Sequence, residues 1–335
     1  MLRTCLFLLA ASQAADGEQV RGVTVSTHRG GDEWASDAIV PTFASIEELG
    51  ANWVAIHPYG RISADGSIRF RPLTEETSAM VQRPIVEAHR LGLKILVKPH
   101  LAYWRSPFSW RGEIEFESDE AWVRFWRDYE AWILDLAATA TAADAFVIGT
   151  ELDRTVAQES RWRGLIARVR KIYNHPLTYA ANWSDYQRVP FWDALDTIGI
   201  QAYFPITEIP NPDERALSQG WTRIMKELHA FAESRDRSIV FTELGYNRAF
   251  QAPKRPWETH TDGEEAAPLQ EACLKVALEA IEREDKVVGA FLWKWFPQPR
   301  PVGRTFQVAA PGMRRVIAAA WARAADFGAR VAPAE

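Results

Sequence analysis

Eight short runs rich in Val, Ile, Phe and Tyr recur along the chain, at residues 21–26, 52–58, 94–100, 145–151, 177–182, 196–204, 238–246 and 287–295. Each is followed by a stretch whose apolar residues fall at helical spacing: 36–49, 74–90, 118–140, 159–173, a short one at 192–195, then 214–234, 264–284 and 311–327. Strands that read as continuous apolar runs are buried on both faces, and strand–helix alternation puts them parallel. Eight such units with no internal repeat or low-complexity linker predict a single α/β domain, a closed (β/α)8 barrel over residues 16–335. The competing arrangement, an open doubly wound sheet, normally carries a Gly-rich phosphate turn after its first strand. Here His28-Arg29-Gly30-Gly31-Asp32 lacks both the spacing and the helix start, so no nucleotide cofactor is expected.

A net charge of −5 offers no basic footprint for nucleic acid, and no cofactor or partner protein is implied; the chain is expected to act as a monomer. Residues 1–15 carry Arg3, a brief apolar run at 6–11 and small residues at Ser12 and Ala14. That is the pattern of a short signal peptide, too short to span a bilayer, and it predicts a secreted or periplasmic protein with no membrane attachment after cleavage. Removing the leader takes Cys5 with it and leaves Cys273 without an internal disulfide partner. The 15 Trp are unusual; core packing should claim more than half, and the rest suit stacking platforms for sugar rings.

Barrel chemistry gathers at the C-terminal ends of the strands. Residues 238–246, Ser-Ile-Val-Phe-Thr-Glu-Leu-Gly-Tyr, end an apolar run in Glu243, and residues 145–152 repeat the pattern with Glu151. Two strand-end carboxylates in one barrel are what glycoside hydrolysis by a carboxylate pair requires. The other strand ends supply His57, Lys98, His100, Asn182, Trp183, Tyr203, Tyr246, Trp293 and Trp295 as candidate substrate-binding residues. Strict alternation turns Phe241 and Ile239 inward with Glu243, Gly149 and Val147 inward with Glu151, and places Trp293 and Trp295 on one face. The long loop 101–117 holds Tyr103, Trp104, Phe108 and Trp110 and has the length of a functional loop.

Several of these pieces together resemble glycoside hydrolase family 113 of clan A: Gly149-Thr150-Glu151-Leu152-Asp153, residues 177–183 (Leu-Thr-Tyr-Ala-Ala-Asn-Trp), Phe191-Trp192-Asp193, and Phe241-Thr242-Glu243-Leu244-Gly245-Tyr246. Lys98-Pro99-His100 and the aromatic eighth strand extend the resemblance over nearly the whole mature chain. It implies a retaining β-glycosidase, with members acting mainly as endo-β-1,4-mannanases on oligo- or polysaccharides, and carries over Glu151 as acid/base and Glu243 as nucleophile. It also implies a Trp flooring the subsite before the scissile bond; Trp293 is favoured over Trp295, the alternative being that both indoles are core. Clan A members commonly place Asn before the acid/base, where this chain has Thr150, so the contact to the sugar 2-hydroxyl must come from elsewhere, with Asn182 a candidate.

The residues read the same way. Retention needs carboxyl groups about 5 to 5.5 Å apart, one ionised and one protonated. Tyr203 is placed to donate to Glu243, or else to bond backbone at the rim, while Glu151 stays desolvated and protonated. Lys98 serves either a structural ion pair or a sugar. A metal held by His57 and His100 with Glu151 or Asp153 lacks any supporting spacing, so no metal is expected. Asp153, Asp185 and Asp193 read as helix caps or solvent-facing loop acids. The alternatives to a mannanase are a retaining β-glycosidase of other specificity, exo-acting or on another β-glycan, and an inactive carbohydrate-binding barrel.

Overall fold

The structure, a computed structural model, describes residues 18–28, 30–298 and 306–331; the expected leader lies outside them. Eight parallel strands close on themselves: β1 (Val20–Val25), β2 (Trp53–Ile56), β3 (Lys94–Val97), β4 (Ala145–Thr150), β5 (Leu177–Asn182), β6 (Ile198–Gln201), β7 (Ile239–Leu244) and β8 (Val287–Trp295), with β8 pairing back onto β1. Around them run α1 (Ile39–Glu47), α2 (Ala79–Arg90), α3 (Asp119–Thr139), α4 (Glu159–Val169), α5 (Glu214–Arg235), α6 (Ala267–Glu282) and α7 (Pro311–Val331). The chain is a (β/α)8 barrel. Two long helices start where the sequence offers a cap: the Ser118 hydroxyl accepts from the Ala121 amide at 3.2 Å, and Asp213 accepts from Ala216 at 2.8 Å. No described helix is long and apolar enough to cross a membrane.

After β5 the helix is reduced to two 3₁₀ turns, Tyr186–Arg188 and Trp192–Ala194. Pro190 stands between them and supplies no backbone donor, while the Trp192 indole bonds the Tyr186 carbonyl at 2.8 Å and pins the turns together. The region after β2 and β3 also differs from expectation. Strands Tyr59–Ile62, Ile68–Arg69 and His100–Ala102 form a small sheet above the barrel, so the start of the 101–117 loop is paired backbone. Strands of two to four residues and mixed composition carry too little periodicity to be read from sequence.

Inside the barrel, Ala55, Leu96, Val147, Ala180, Val240 and Phe291 pack on one another. A second, far larger core lies between strands and helices and takes in Trp126, Trp162, Trp192, Trp221 and Trp321. Nine of the 15 Trp are buried, so packing does claim most of them. Strict alternation fails near the strand ends. Phe241 and Ile239 belong to the outer core while Val240 points inward, and Gly149 faces outward, where a Cβ would stand 2.6 Å from the Trp162 ring and 2.8 Å from the Tyr129 hydroxyl. The cause is a register shift on each strand, between Val147 and Thr150 on β4 and between Phe241 and Glu243 on β7.

Phe291 fills the barrel axis only because Gly22 on β1 leaves room: a Cβ at Gly22 would lie 2.4 Å from the ring. Gly22→Ala is expected to destabilise by roughly 1–3 kcal/mol through overpacking. Adding Phe291→Leu should recover part of that loss, measured as non-additivity of denaturant midpoints; additive effects would show that the two side chains do not share this space.

Candidate active site

Both carboxylates are delivered by the irregularities just described. Glu243 follows the β7 bulge and pairs with Gln201, putting its side chain into the barrel mouth at 5% exposure. Lys98, fully buried just past β3, crosses the mouth and donates to Glu243 Oε1 at 2.5 Å and to the Thr242 carbonyl at 3.0 Å. Tyr203, after β6, donates to Oε2 at 2.6 Å. With a charged donor on one oxygen and a hydroxyl on the other, Glu243 is held as an acceptor in one orientation. Burial pulls the Lys98 ammonium below its ordinary value, and the Glu243 charge opposes that pull.

Glu151 sits just past β4 with a left-handed backbone, φ 51°. Its neighbours hold that conformation. The Glu151 amide donates to the Ala180 carbonyl at 2.8 Å, the Leu152 amide to the Tyr179 hydroxyl at 2.8 Å, and the Thr150 hydroxyl to the Pro99 carbonyl at 2.9 Å. Unlike Glu243, its side chain is 18% exposed and faces the Arg111 guanidinium at 3.8 Å, beyond hydrogen-bond reach. Desolvation raises its pKa; Arg111 opposes this, and the charge of Glu243 adds to it. One carboxylate is thus clamped by donors and the other is biased toward its protonated form, the division of labour that acid-assisted displacement needs.

Trp293 forms the wall beside them. It packs with Tyr203, Phe306 and the half-buried Trp183, stacks on His100 at 5.7 Å, and receives Lys98 Nζ 4.9 Å from its ring centre. His57 lies 5.0 Å from His100, centre to centre, and shares a 2.6 Å hydrogen bond with Ser26. Burial first, then neighbouring cations, hold both imidazoles well below the usual histidine range, so they are neutral at neutral pH. His57 Nδ1 and both ring nitrogens of His100 have no hydrogen-bond partner, although His100 Nε2 approaches Glu243 Oε1 to 3.5 Å. Such orphaned atoms suit sugar hydroxyls. The cluster with metal-ligand geometry among the described residues is instead His229, Glu284 and Asp285, near the start of β8 and away from His57 and His100.

Three expectations are corrected. Tyr246 is not at the site; it packs into the outer core, its phenol raised by burial, with Cys273 adding to the shift. Trp295 does not share a face with Trp293. A register shift pairs Trp293 with Thr24 but Trp295 with the next residue, Val25, so Trp295 joins the outer core with the Arg314 guanidinium 5.4 Å from its ring. Asp153 is a buried acid pushed up to about 8 by desolvation and by Asp185, with no capping role. Asn182 reaches Asp153 only at 3.5 Å, and Trp183 stacks on the exposed Trp257 at 5.4 Å. Of the acids read as solvent-facing, Asp193 does pair with Arg163 at the surface, at 2.8 Å.

Two residues escaped the sequence reading. Arg111 comes from a 3₁₀ turn in the 101–117 loop, buried with Nε and one Nη unbonded. Gln201, fully buried at the end of β6, has its Oε1 taken by the Thr242 hydroxyl at 2.9 Å, which leaves Nε2 without a partner near Glu151. The parity of β6 with Glu243 could have flagged Gln201; nothing local could have flagged Arg111.

A parallel barrel with two strand-end carboxylates in unlike environments, walled by Trp and orphaned polar groups, is a glycoside hydrolase. The Glycoside Hydrolase Family 113 model matches residues 23–303, and the chain belongs to that family. Among solved structures it is similar to the family 113 β-mannanase AaManA from Alicyclobacillus acidocaldarius, at 25% identity and TM-score 0.79, over 92% of this chain and 98% of that one. A second family 113 structure, a β-1,4-mannanase, shares 21% identity at TM-score 0.78 over 91% and 99% of the two chains. A family 5 mannosidase from Rhizomucor miehei shares the fold at 11% identity and TM-score 0.62, over 94% and 95%. No curated protein sequence matches.

Tyr203→Phe removes one charge-assisted hydrogen bond from Glu243, a contact worth about 1.5–3 kcal/mol, so kcat/KM on an aryl glycoside should fall roughly ten- to hundredfold with an unchanged melting temperature. An unaffected kcat/KM would strip Tyr203 of its role. Arg111→Met removes the cation that stabilises ionised Glu151, which raises the carboxyl pKa further and keeps the acid form to higher pH. The basic limb of the kcat/KM profile should therefore move up in pH; movement downward would disprove the pairing.

Proposed function

We propose that the protein is a retaining β-glycosidase that cleaves β-1,4-mannan or manno-oligosaccharides internally. The observation that carries this reading is the contrast between the carboxylates: Glu243 clamped by Lys98 and Tyr203, Glu151 raised by desolvation. In the first step Glu243 attacks the anomeric carbon, and Glu151 gives its proton to the departing glycosidic oxygen. In the second, Glu151 takes a proton from water, the hydroxyl oxygen joins the anomeric carbon, and Glu243 leaves as a carboxylate. The aglycone departs past Glu151, with the stacked Trp183 and Trp257 on that side as a sugar platform. Trp293 floors the reacting ring, and the unbonded Gln201 amide and the nitrogens of His57 and His100 receive its hydroxyls. Mannan as the substrate is supported by membership of family 113 and by the likeness to AaManA.

Glu151→Ala is expected to retain activity on 2,4-dinitrophenyl β-mannoside, whose leaving group needs no proton, and to accelerate with azide to give the β-mannosyl azide. An α-azide would mean inversion, and an inert protein would leave only a binding barrel. Glu243→Gln should be inactive on every substrate, because no other group can form the covalent link. With mannohexaose, wild-type enzyme should release internal fragments first; steady release of mannose alone would make the enzyme exo-acting.

A further inference from the structure

Beside the carboxylates, on the side of β1, β2 and β8, opens a cleft of about 1180 Å³ that begins at His57 and Tyr59. Ligand pockets for drug-sized molecules run to roughly 1,000 Å³, so several sugar units fit. Its charge is out of keeping with the molecule. The chain carries −5 overall, yet the cleft is lined by Arg61, Arg69, Arg71, Arg105 and Lys294 against the single carboxylate of Asp32. That carboxylate is engaged by Arg71 at 2.9 Å. Among the described residues Arg61, Arg69 and Arg105 have no carboxylate partner, and Arg61 is oriented by a 3.2 Å bond to the Trp104 carbonyl. The small sheet sets this arrangement: Arg61 and Arg69 face each other across its antiparallel pair. Aromatic faces lie between the cations, with Tyr59 5.4 Å from the exposed Trp104, and Phe296 stacked 4.3 Å from His28.

The geometry points to a substrate that is an acidic, mannan-type glycan, one whose sugar units on the non-reducing side of the scissile bond bear anionic substituents. The assignment of the cleft to that side rests on the reading of Glu151 as the proton donor: the aglycone leaves past β4, and the remaining chain extends the opposite way, across His57 and Tyr59 into the cleft. Aromatic faces take the apolar faces of the sugars, and guanidinium forks take a carboxylate or a sulfate ester. An unsubstituted mannan would leave the guanidinium groups of Arg61, Arg69 and Arg105 without a counter-charge.

The test uses wild-type enzyme and three S-linked mannotriosides that resist cleavage: neutral, carrying a carboxylate at C6 of the non-reducing unit, and carrying a 6-sulfate there. Calorimetric titration in low salt should show one or both anionic ligands binding roughly tenfold more tightly than the neutral one, with the advantage fading near 0.5 M salt, where the screening length falls to about 4 Å. Which ligand leads separates a uronate from a sulfated substrate. The variant R61Q/R69Q/R105Q should lose roughly eightfold of the preference, about a factor of two for each exposed contact. Equal or weaker binding of both anionic ligands by wild type, or a preference that survives in the variant, overturns the proposal. Turnover of the matching O-linked compounds is read separately. If these are not cleaved while the binding preference stands, the hydrolase reading has failed and the acidic-glycan reading has not.

Discussion

Lys98 and Glu243 face each other across the barrel mouth with almost no contact with water, and much of the site follows from that pairing. Two charges taken out of water are favourable only when geometry is good and the remaining hydrogen-bonding sites are filled. Here Tyr203 fills the second oxygen of Glu243, and the Thr242 carbonyl and Trp293 ring fill the surroundings of the ammonium. The pair ties β3 to β7, fixes the carboxylate in one direction and stands its cation beside the wall on which a sugar ring would lie. The neighbouring imidazoles are kept neutral by burial first, and then by cations: Lys294 ahead of Lys98 for His57, and Arg111 ahead of Lys98 for His100.

The second carboxylate is made different by distance from such donors. Glu151 sees a guanidinium that it does not touch and an amide, Gln201, whose donor stays unbonded. Its left-handed backbone is stabilised by bonds from Leu152 to Tyr179 and from Thr150 to Pro99, so the strain is borne by the aromatic layer of α3, α4 and β5. Gly149 lets that layer come close. The site is therefore supported from two directions: ionic contacts under Glu243, and aromatic packing behind Glu151.

The loops above the barrel add selectivity to this centre. Arg111 arrives from the β3 loop, and the small sheet following β2 and β3 presents its arginines to a cleft with aromatic faces. In a chain with net negative charge, cations gathered in one groove favour anions there, because fields in a concave low-dielectric wall are focused.

The sequence by itself determined the barrel, its strand and helix order, the two glutamates and the residues Lys98 and Tyr203 that surround Glu243. These are legible because apolar runs, helical spacing and strand ends are local patterns, and a charge closing an apolar run stands out within a few residues. Only the tertiary structure decided which way the strand-end side chains face. The bulges on β4, β7 and β8 break the alternation that would have turned Phe241 and Gly149 inward and kept Trp295 with Trp293, and a bulge is set by the partner strand's register. Tyr246 went to the core because α6 brings Cys273 over it, and Arg111 and the cleft arginines converge through contacts between segments far apart in the chain. Such convergence leaves no periodic trace, since what places each side chain is a neighbour tens of residues away.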